Sequence, residues 1–270
     1  MRYLAMPSKP VLFTAAALIA AGVIFGVIFW LTSRANDTTT FALLHTGKTI
    51  AENGRDGQPA CVQCHGGNGE GNRAMGAPRL AGMPAGYLEK QLHDFARNPL
   101  KAGVTLDPIA HDYNKTPKIQ VDLTALTPGV RRVDAMNAIS ATLNAQEVKA
   151  VAFYFSSLGY NFTAIPSDPE TLARGEDLAL RGKPEYGIPA CASCHGADGK
   201  GYGNHFPPIA GQAPEYIVQQ LNQWQTGARD NDQMALMRNI AEQLTDGDKI
   251  NVAAYFANIA VSSTGGVSSP

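Results

Sequence analysis

The stretch CVQCH, from Cys61 to His65, returns in altered form as CASCH, from Cys191 to His195. Each copy follows a Pro-Ala pair, and each runs on into a glycine-rich hexapeptide, GGNGEG in the first case and GADGKG in the second. The likeness extends well past the cysteines. APRLAGMPAGYLEKQLHDF, Ala77 to Phe95, matches FPPIAGQAPEYIVQQLNQW, Phe206 to Trp224, so that Pro78, Gly82, Tyr87, Leu92 and Phe95 pair with Pro207, Gly211, Tyr216, Leu221 and Trp224. Further on, AMNAISATLNAQEVKAVAFYF, Ala135 to Phe155, matches LMRNIAEQLTDGDKINVAAYF, Leu236 to Phe256. The chain is a tandem repeat whose first copy carries an insertion around Asn98 to Arg132.

The repeated segments read as helices. Asn144 with Glu147, and Thr245 with Asp248, have the spacing of a helix cap and its reciprocal acidic partner. Val148, Val151 and Phe155 recur at helical spacing, as do Ile250, Ala253 and Ala257, and Gly159 ends the first of these helices. A further helix is expected before each cysteine pair, over Phe41 to Asn53 and over Pro169 to Arg181, the latter opening with proline at its first position. No period-2 alternation marks a sheet. The expected fold is therefore all-α, with an anchor at 1–35, a first domain at 36–160, a second at 161–260 and a disordered tail at 261–270. GYNFTAIPSD, Gly159 to Asp168, reads as the linker.

The N-terminus has a different character. Val11 to Leu31 is an uncharged run of 21 residues, longer than the apolar core of about 7–15 residues usual in a signal peptide. About 20 such residues span a bilayer as a helix. Arg2 and Lys9 precede the run and Trp30 lies near its far end, so the positive flank stays in the cytoplasm and the rest is exported. The alternative is a long signal peptide cleaved near Ala20 to Gly22. The expected location is the bacterial inner membrane, with a single pass and the two domains in the periplasm.

Charge and cysteine use narrow the function. Residues 36–160 carry 12 basic and 11 acidic side chains, whereas 161–270 carry 7 and 12. No basic stripe with interleaved aromatics is present, which argues against nucleic acid as a partner. All four cysteines lie in the two pentapeptides. A zinc ribbon needs its second pair about 15–20 residues after the first, far closer than these pairs stand. A thioredoxin-type dithiol sits in an alternating strand–helix pattern that is missing here. Histidine directly after the second cysteine is the signature of covalent haem c attachment: two thioethers to the porphyrin, with the imidazole beneath the ring as an iron ligand. The chain is expected to hold two covalently bound haem c groups, at Cys61, Cys64 and His65, and at Cys191, Cys194 and His195.

The duplicated motif, the xPxLAG-like segment, the Tyr-Leu-x-x-Gln-Leu helix and the terminal AxYF helix resemble the dihaem cytochrome c4 family over most of residues 41–260. The resemblance implies a class I cytochrome c fold in each half, a proline carbonyl (Pro78 and Pro207) holding each histidine, and electron transfer in the periplasm. Its implied partners are redox proteins: a bc1-like quinol-oxidising complex or a periplasmic dehydrogenase on one side, a terminal oxidase on the other. The anchor and the insertion depart from the soluble members.

The sixth iron ligand separates electron transfer from catalysis, because a filled iron shuttles electrons and an open one binds small molecules. Met136 pairs with Met237, each followed by isoleucine, leucine and a helix cap at the same intervals, and these two are the expected distal ligands. Met75 and Met83 have no methionine counterpart, Met234 falls opposite Val133, and Met1 and Met6 lie across the membrane. His45, His93, His111 and His205 have no histidine counterpart either. Tyr87 and Tyr216 are candidates for haem propionates or for core filling. Arg79, Arg97, Arg131 and Arg132 are candidates for propionates, solvated surface positions being the commoner case. The favoured function is a membrane-tethered electron carrier, not an enzyme. The alternative is a dihaem cytochrome c peroxidase-type enzyme with one labile distal ligand.

Overall fold

The computed structural model describes residues 38–97, 131–161, 164–260 and 262–263. The apolar run at 11–31, residues 98–130 of the insertion and the last seven residues lie outside these. Among the described residues no helix is long and apolar enough to cross a membrane.

Among the described residues each half has five α-helices in matching order. In the first half these are α1 (residues 38–53), α2 (Cys61–His65), α3 (Ala85–Ala96), α4 (Asp134–Thr142) and α5 (Ala145–Ser157). In the second they are α6 (Pro169–Arg181), α7 (Ala192–His195), α8 (Pro214–Gln225), α9 (Leu236–Gln243) and α10 (Asp246–Asn258). Both sequence-predicted capping boxes form. Asn144 accepts from the Glu147 amide while Glu147 accepts from Asn144, and Thr245 and Asp248 do the same. Asp168 caps α6 by accepting from the Thr171 amide, with Pro169 at the first position.

The first and last helices of each half cross at a glycine. A Cβ on Gly47 would lie 2.1 Å from the Ala150 carbonyl oxygen, and one on Gly175 would lie 2.1 Å from that of Asn251. Two helix backbones approach this closely only where neither presents a side chain. On each crossing sits a core: Ile50, Leu88, Val151 and Phe155 in the first half, Leu178, Leu221, Val252 and Phe256 in the second.

Two expectations are corrected. Ile250, expected on the core face of α10, is 54% exposed, and its neighbour Lys249 is buried instead. The Lys249 ammonium donates to Asn222 Oδ1, Gln225 Oε1 and Asp246 Oδ1, which satisfies all three of its protons. The tail at 261–270 is not wholly without structure: β2 (Ser262–Ser263) pairs antiparallel with β1 (Tyr160–Asn161). The supposed linker thus begins as a strand, and Tyr160 is buried in it.

Asp248 offers a stability test. Burial alone would raise its pKa, but its bonds to the Lys183 ammonium at 2.6 Å and to the hydroxyl and amide of Thr245 outweigh that, leaving it below the usual value. A carboxyl with a lower pKa folded than unfolded stabilises above its unfolded pKa of about 3.9 and loses that contribution as pH falls through the folded value. Asp248→Ala should therefore cost about 1 kcal/mol at neutral pH. In urea titrations the gap from wild type should close in acid below about pH 4; a gap independent of pH would mean that the carboxylate charge contributes nothing.

Candidate functional site

The two pentapeptides fold as single helical turns, α2 and α7. Each ends at the residue after its histidine, Gly66 at φ +83° and Gly196 at φ +82°, a backbone that glycine alone adopts without strain. This stop turns the chain away and leaves His65 and His195 buried. His65 Nδ1 lies 2.9 Å from the Pro78 carbonyl oxygen, and His195 Nδ1 lies 2.9 Å from that of Pro207. Burial pulls both imidazoles below the ordinary histidine pKa, against the raising effect of these carbonyls. A neutral ring whose Nδ1–H donates to a carbonyl keeps Nε2 as a lone pair for a metal.

The thiols are poor nucleophiles as they stand. Burial pushes Cys61 and Cys191 up to about 11, the opposite of the depressed pKa a redox dithiol needs. All four cysteines are unpaired, and among the described residues no three or more His, Cys, Asp or Glu side chains converge as a zinc site requires. Both sites suit attachment of a group that brings its own metal.

In the loops that follow, Gly69 and Gly199 face the last helix of each half. A Cβ on Gly69 would lie 2.8 Å from the Phe155 ring, and one on Gly199 would lie 3.0 Å from that of Phe256. The loops are thus pressed onto α5 and α10.

Met136 and Met237 sit at matching places on α4 and α9, both half-buried. Met237 packs on the core cluster that Cys191 also touches. Asn137 ties α4 down: its amide donates to the Phe95 and Arg131 carbonyls at 2.7 and 2.8 Å, and its oxygen accepts from the Val133 amide at 2.8 Å. Asp232 does this for α9, accepting from the Met237 and Arg238 amides at 2.7 and 3.1 Å. The unmatched methionines are elsewhere. Met234 is 84% exposed, Met75 is exposed, and Met83 is buried in the first core.

Where the halves meet, two arginines are buried. Arg131 stacks 4.4 Å over the Phe95 ring of its own half and donates to Gln91, then reaches across to Gln220 at 2.6 Å and the Tyr216 hydroxyl at 3.2 Å. Arg229 mirrors it. It stacks 3.9 Å over Trp224, donates to Gln220, and crosses to the Tyr87 hydroxyl at 3.3 Å and Gln91 at 3.4 Å. The two arginines pair through their backbones in an antiparallel bridge. Arg79 is buried as well, whereas the Arg97 side chain is 62% exposed.

Two guanidiniums buried side by side lack sufficient counter-charge. Asp94, the buried carboxylate nearby, is occupied by Lys90 and Asn231. Burial would raise the Tyr87 pKa, but the charges of Arg229 and then Arg131 override it and lower it. The Arg131 Nε is buried without a partner. An uncompensated buried cation is costly, and the carboxylates of two haem groups would supply the charge this junction lacks. The residues fit the cofactor.

The family model described as Cytochrome c matches residues 44–159 and 179–260. A thiosulfate dehydrogenase electron acceptor of Stutzerimonas stutzeri (strain A1501) is 39% identical over 76% of this chain and 82% of its own. A cytochrome c4 of Stutzerimonas stutzeri is 33% identical over 77% of this chain and 89% of its own. Among solved structures, a thiosulfate dehydrogenase of Marichromatium purpuratum superposes with TM-score 0.63 at 35% identity over 79% of this chain. The present chain spans 40% of the length of that protein.

Proposed function

Since the chain belongs to the cytochrome c family, in its dihaem cytochrome c4 branch, we propose that it is an exported electron acceptor, tethered by its N-terminal apolar run, for a thiosulfate-oxidising dehydrogenase. It carries two covalently bound haem c groups, at Cys61 and Cys64 and at Cys191 and Cys194. Haem iron supplies one-electron storage at each site by alternating between ferric and ferrous states.

The protein's residues do the rest. His65 and His195 serve as proximal ligands, each fixed in its tautomer by a proline carbonyl. Met136 and Met237 serve as distal ligands whose soft sulfur raises the potential. Arg131, Arg229, Tyr87 and Tyr216 would hold the haem carboxylates at the junction between the halves. The domains are 36–160 and 161–260. Periplasmic location and onward transfer to a terminal oxidase complete the reading, with a bc1-like complex as the other donor. The reading rests above all on two histidines held identically by proline carbonyls on either side of a buried cationic junction. The similar thiosulfate dehydrogenase electron acceptor and cytochrome c4 lend no support to a dihaem peroxidase.

The test has two parts. Acid–acetone treatment should leave both haems on the polypeptide, because thioethers survive unfolding. The oxidised protein, mixed with thiosulfate and a thiosulfate dehydrogenase, should then be reduced far faster than by thiosulfate alone. Haem release would overturn covalent attachment; reduction no faster with the dehydrogenase would overturn the donor.

A further inference from the structure

We propose that Gln212, a residue of the second half, tunes the histidine of the first half through the peptide bond joining Pro78 to Arg79. The inference rests on the reading of His65 as a haem ligand. That peptide is gripped at both ends. Its carbonyl accepts from His65 Nδ1 at 2.9 Å, and its N–H donates to Gln212 Oε1 at 2.9 Å. Gln212 Nε2 in turn donates to the Arg79 carbonyl at 3.2 Å, so its amide orientation is fixed by two opposite partners. The surroundings hold this pair rigidly. The Arg79 guanidinium donates to the Ala81 and Ala210 carbonyls at 2.6 and 3.1 Å and lies 4.2 Å over the Tyr160 ring. The Tyr160 hydroxyl donates to the Gly211 carbonyl at 2.6 Å. Both Gln212 and Arg79 are buried.

Donation from a peptide N–H polarises its own carbonyl, and hydrogen bonds in series strengthen one another by roughly 10–30% each in a low-dielectric interior. A more negative Pro78 oxygen draws harder on the Nδ1 proton of His65. The imidazole becomes a more basic ligand, which favours the higher oxidation state of a bound metal. The second site lacks this relay. His195 donates to the Pro207 carbonyl over the same 2.9 Å, but the next residue is Pro208, which has no N–H. The two histidines share one hydrogen bond and differ in the one behind it.

The relay has a spectroscopic signature in the unmodified protein. With ¹⁵N-labelled histidine in the fully reduced, diamagnetic state, the His65 Nδ1–H proton should resonate downfield of that of His195. Gln212→Leu should move the His65 signal upfield, leave His195 in place, and raise the potential of the first haem alone. The oxidised-to-reduced ratio of that haem at fixed poise should change about two- to tenfold, tenfold being about 59 mV for one electron. Gln212→Glu retains an acceptor for the Arg79 N–H and should move the His65 proton signal back downfield. Equal shifts at the two haems in the leucine variant, or none at the first, would overturn the proposal. So would indistinguishable wild-type proton shifts, should the leucine variant fail to fold. Absence of covalent haem would instead sink the function proposed above, and this inference with it.

Discussion

Gly175→Ala is expected to destabilise the second half by about 2–3 kcal/mol, even though alanine is the better helix former by about 1 kcal/mol. Gly175 lies inside α6, where the added methyl would sit 2.1 Å from the Asn251 carbonyl oxygen and 2.8 Å from Tyr255 Cβ. The first of these is backbone of α10, committed to the helical hydrogen-bond ladder, and cannot turn aside as a flexible side chain would. The helices must part, opening the core around Leu178 and Phe256. For a unit of this size the midpoint of thermal unfolding should fall by roughly 10–20 °C, read by circular dichroism in the helical band. Gly247→Ala is the matched control. It is also helical, but the closest atom to its Cβ would be Thr245 Oγ1 at 3.8 Å, so alanine there should be neutral or mildly stabilising. Similar midpoints for the two variants would mean that α6 and α10 do not cross at Gly175.

Met237→Ala should remove the far-red sulfur-to-ferric-iron band of the second haem and leave that of the first. It should also lower the second potential, because thioether sulfur favours the ferrous state. A shift of at least tenfold in the oxidised-to-reduced ratio is expected, about 59 mV or more for one electron. Met234→Ala separates ligation from the mere presence of sulfur nearby. Met234 is 84% exposed on a left-handed backbone with φ +56°, pointing away from the core, so its loss should change neither readout. A band lost in Met234→Ala and kept in Met237→Ala would reverse the ligand assignment.

Local spacing carried much of the fold in the sequence. The two cysteine pentapeptides, the two capping boxes and the helix beginning at Pro169 depend on residues within a few positions of one another, and a linear reading finds them. The proline carbonyls came through resemblance alone, since nothing local marks a carbonyl as a partner for a particular histidine. The junction was hidden for another reason. Arg131 stands at the end of the insertion, where the alignment of the two copies changes offset, and the sequence match sets it opposite Asp232, whereas folding pairs it with Arg229. Without that pairing, an arginine beside polar neighbours reads as solvated. Ile250 misled because apolar residues at helical spacing do not reveal which face is buried; Lys249 lies inward, its charge matched by three oxygen acceptors. Gly47 and Gly175 did leave a signal. They occupy matching places in helices, where glycine is unfavourable, and an unfavourable residue placed twice has a packing reason.

The crossed arginines bear on how such a protein can change over time. Each donates to the glutamine and tyrosine of the opposite copy as well as to the glutamine of its own. A descendant that discarded one copy would keep an arginine aimed at missing acceptors and a tyrosine without its donor, both newly wetted. Reversion to a single-haem ancestor is therefore not a matter of deleting half a gene; the surviving half would have to acquire a new face. Reciprocal contacts of this kind work as a ratchet, keeping two haems in one chain even in a lineage whose chemistry needs only one.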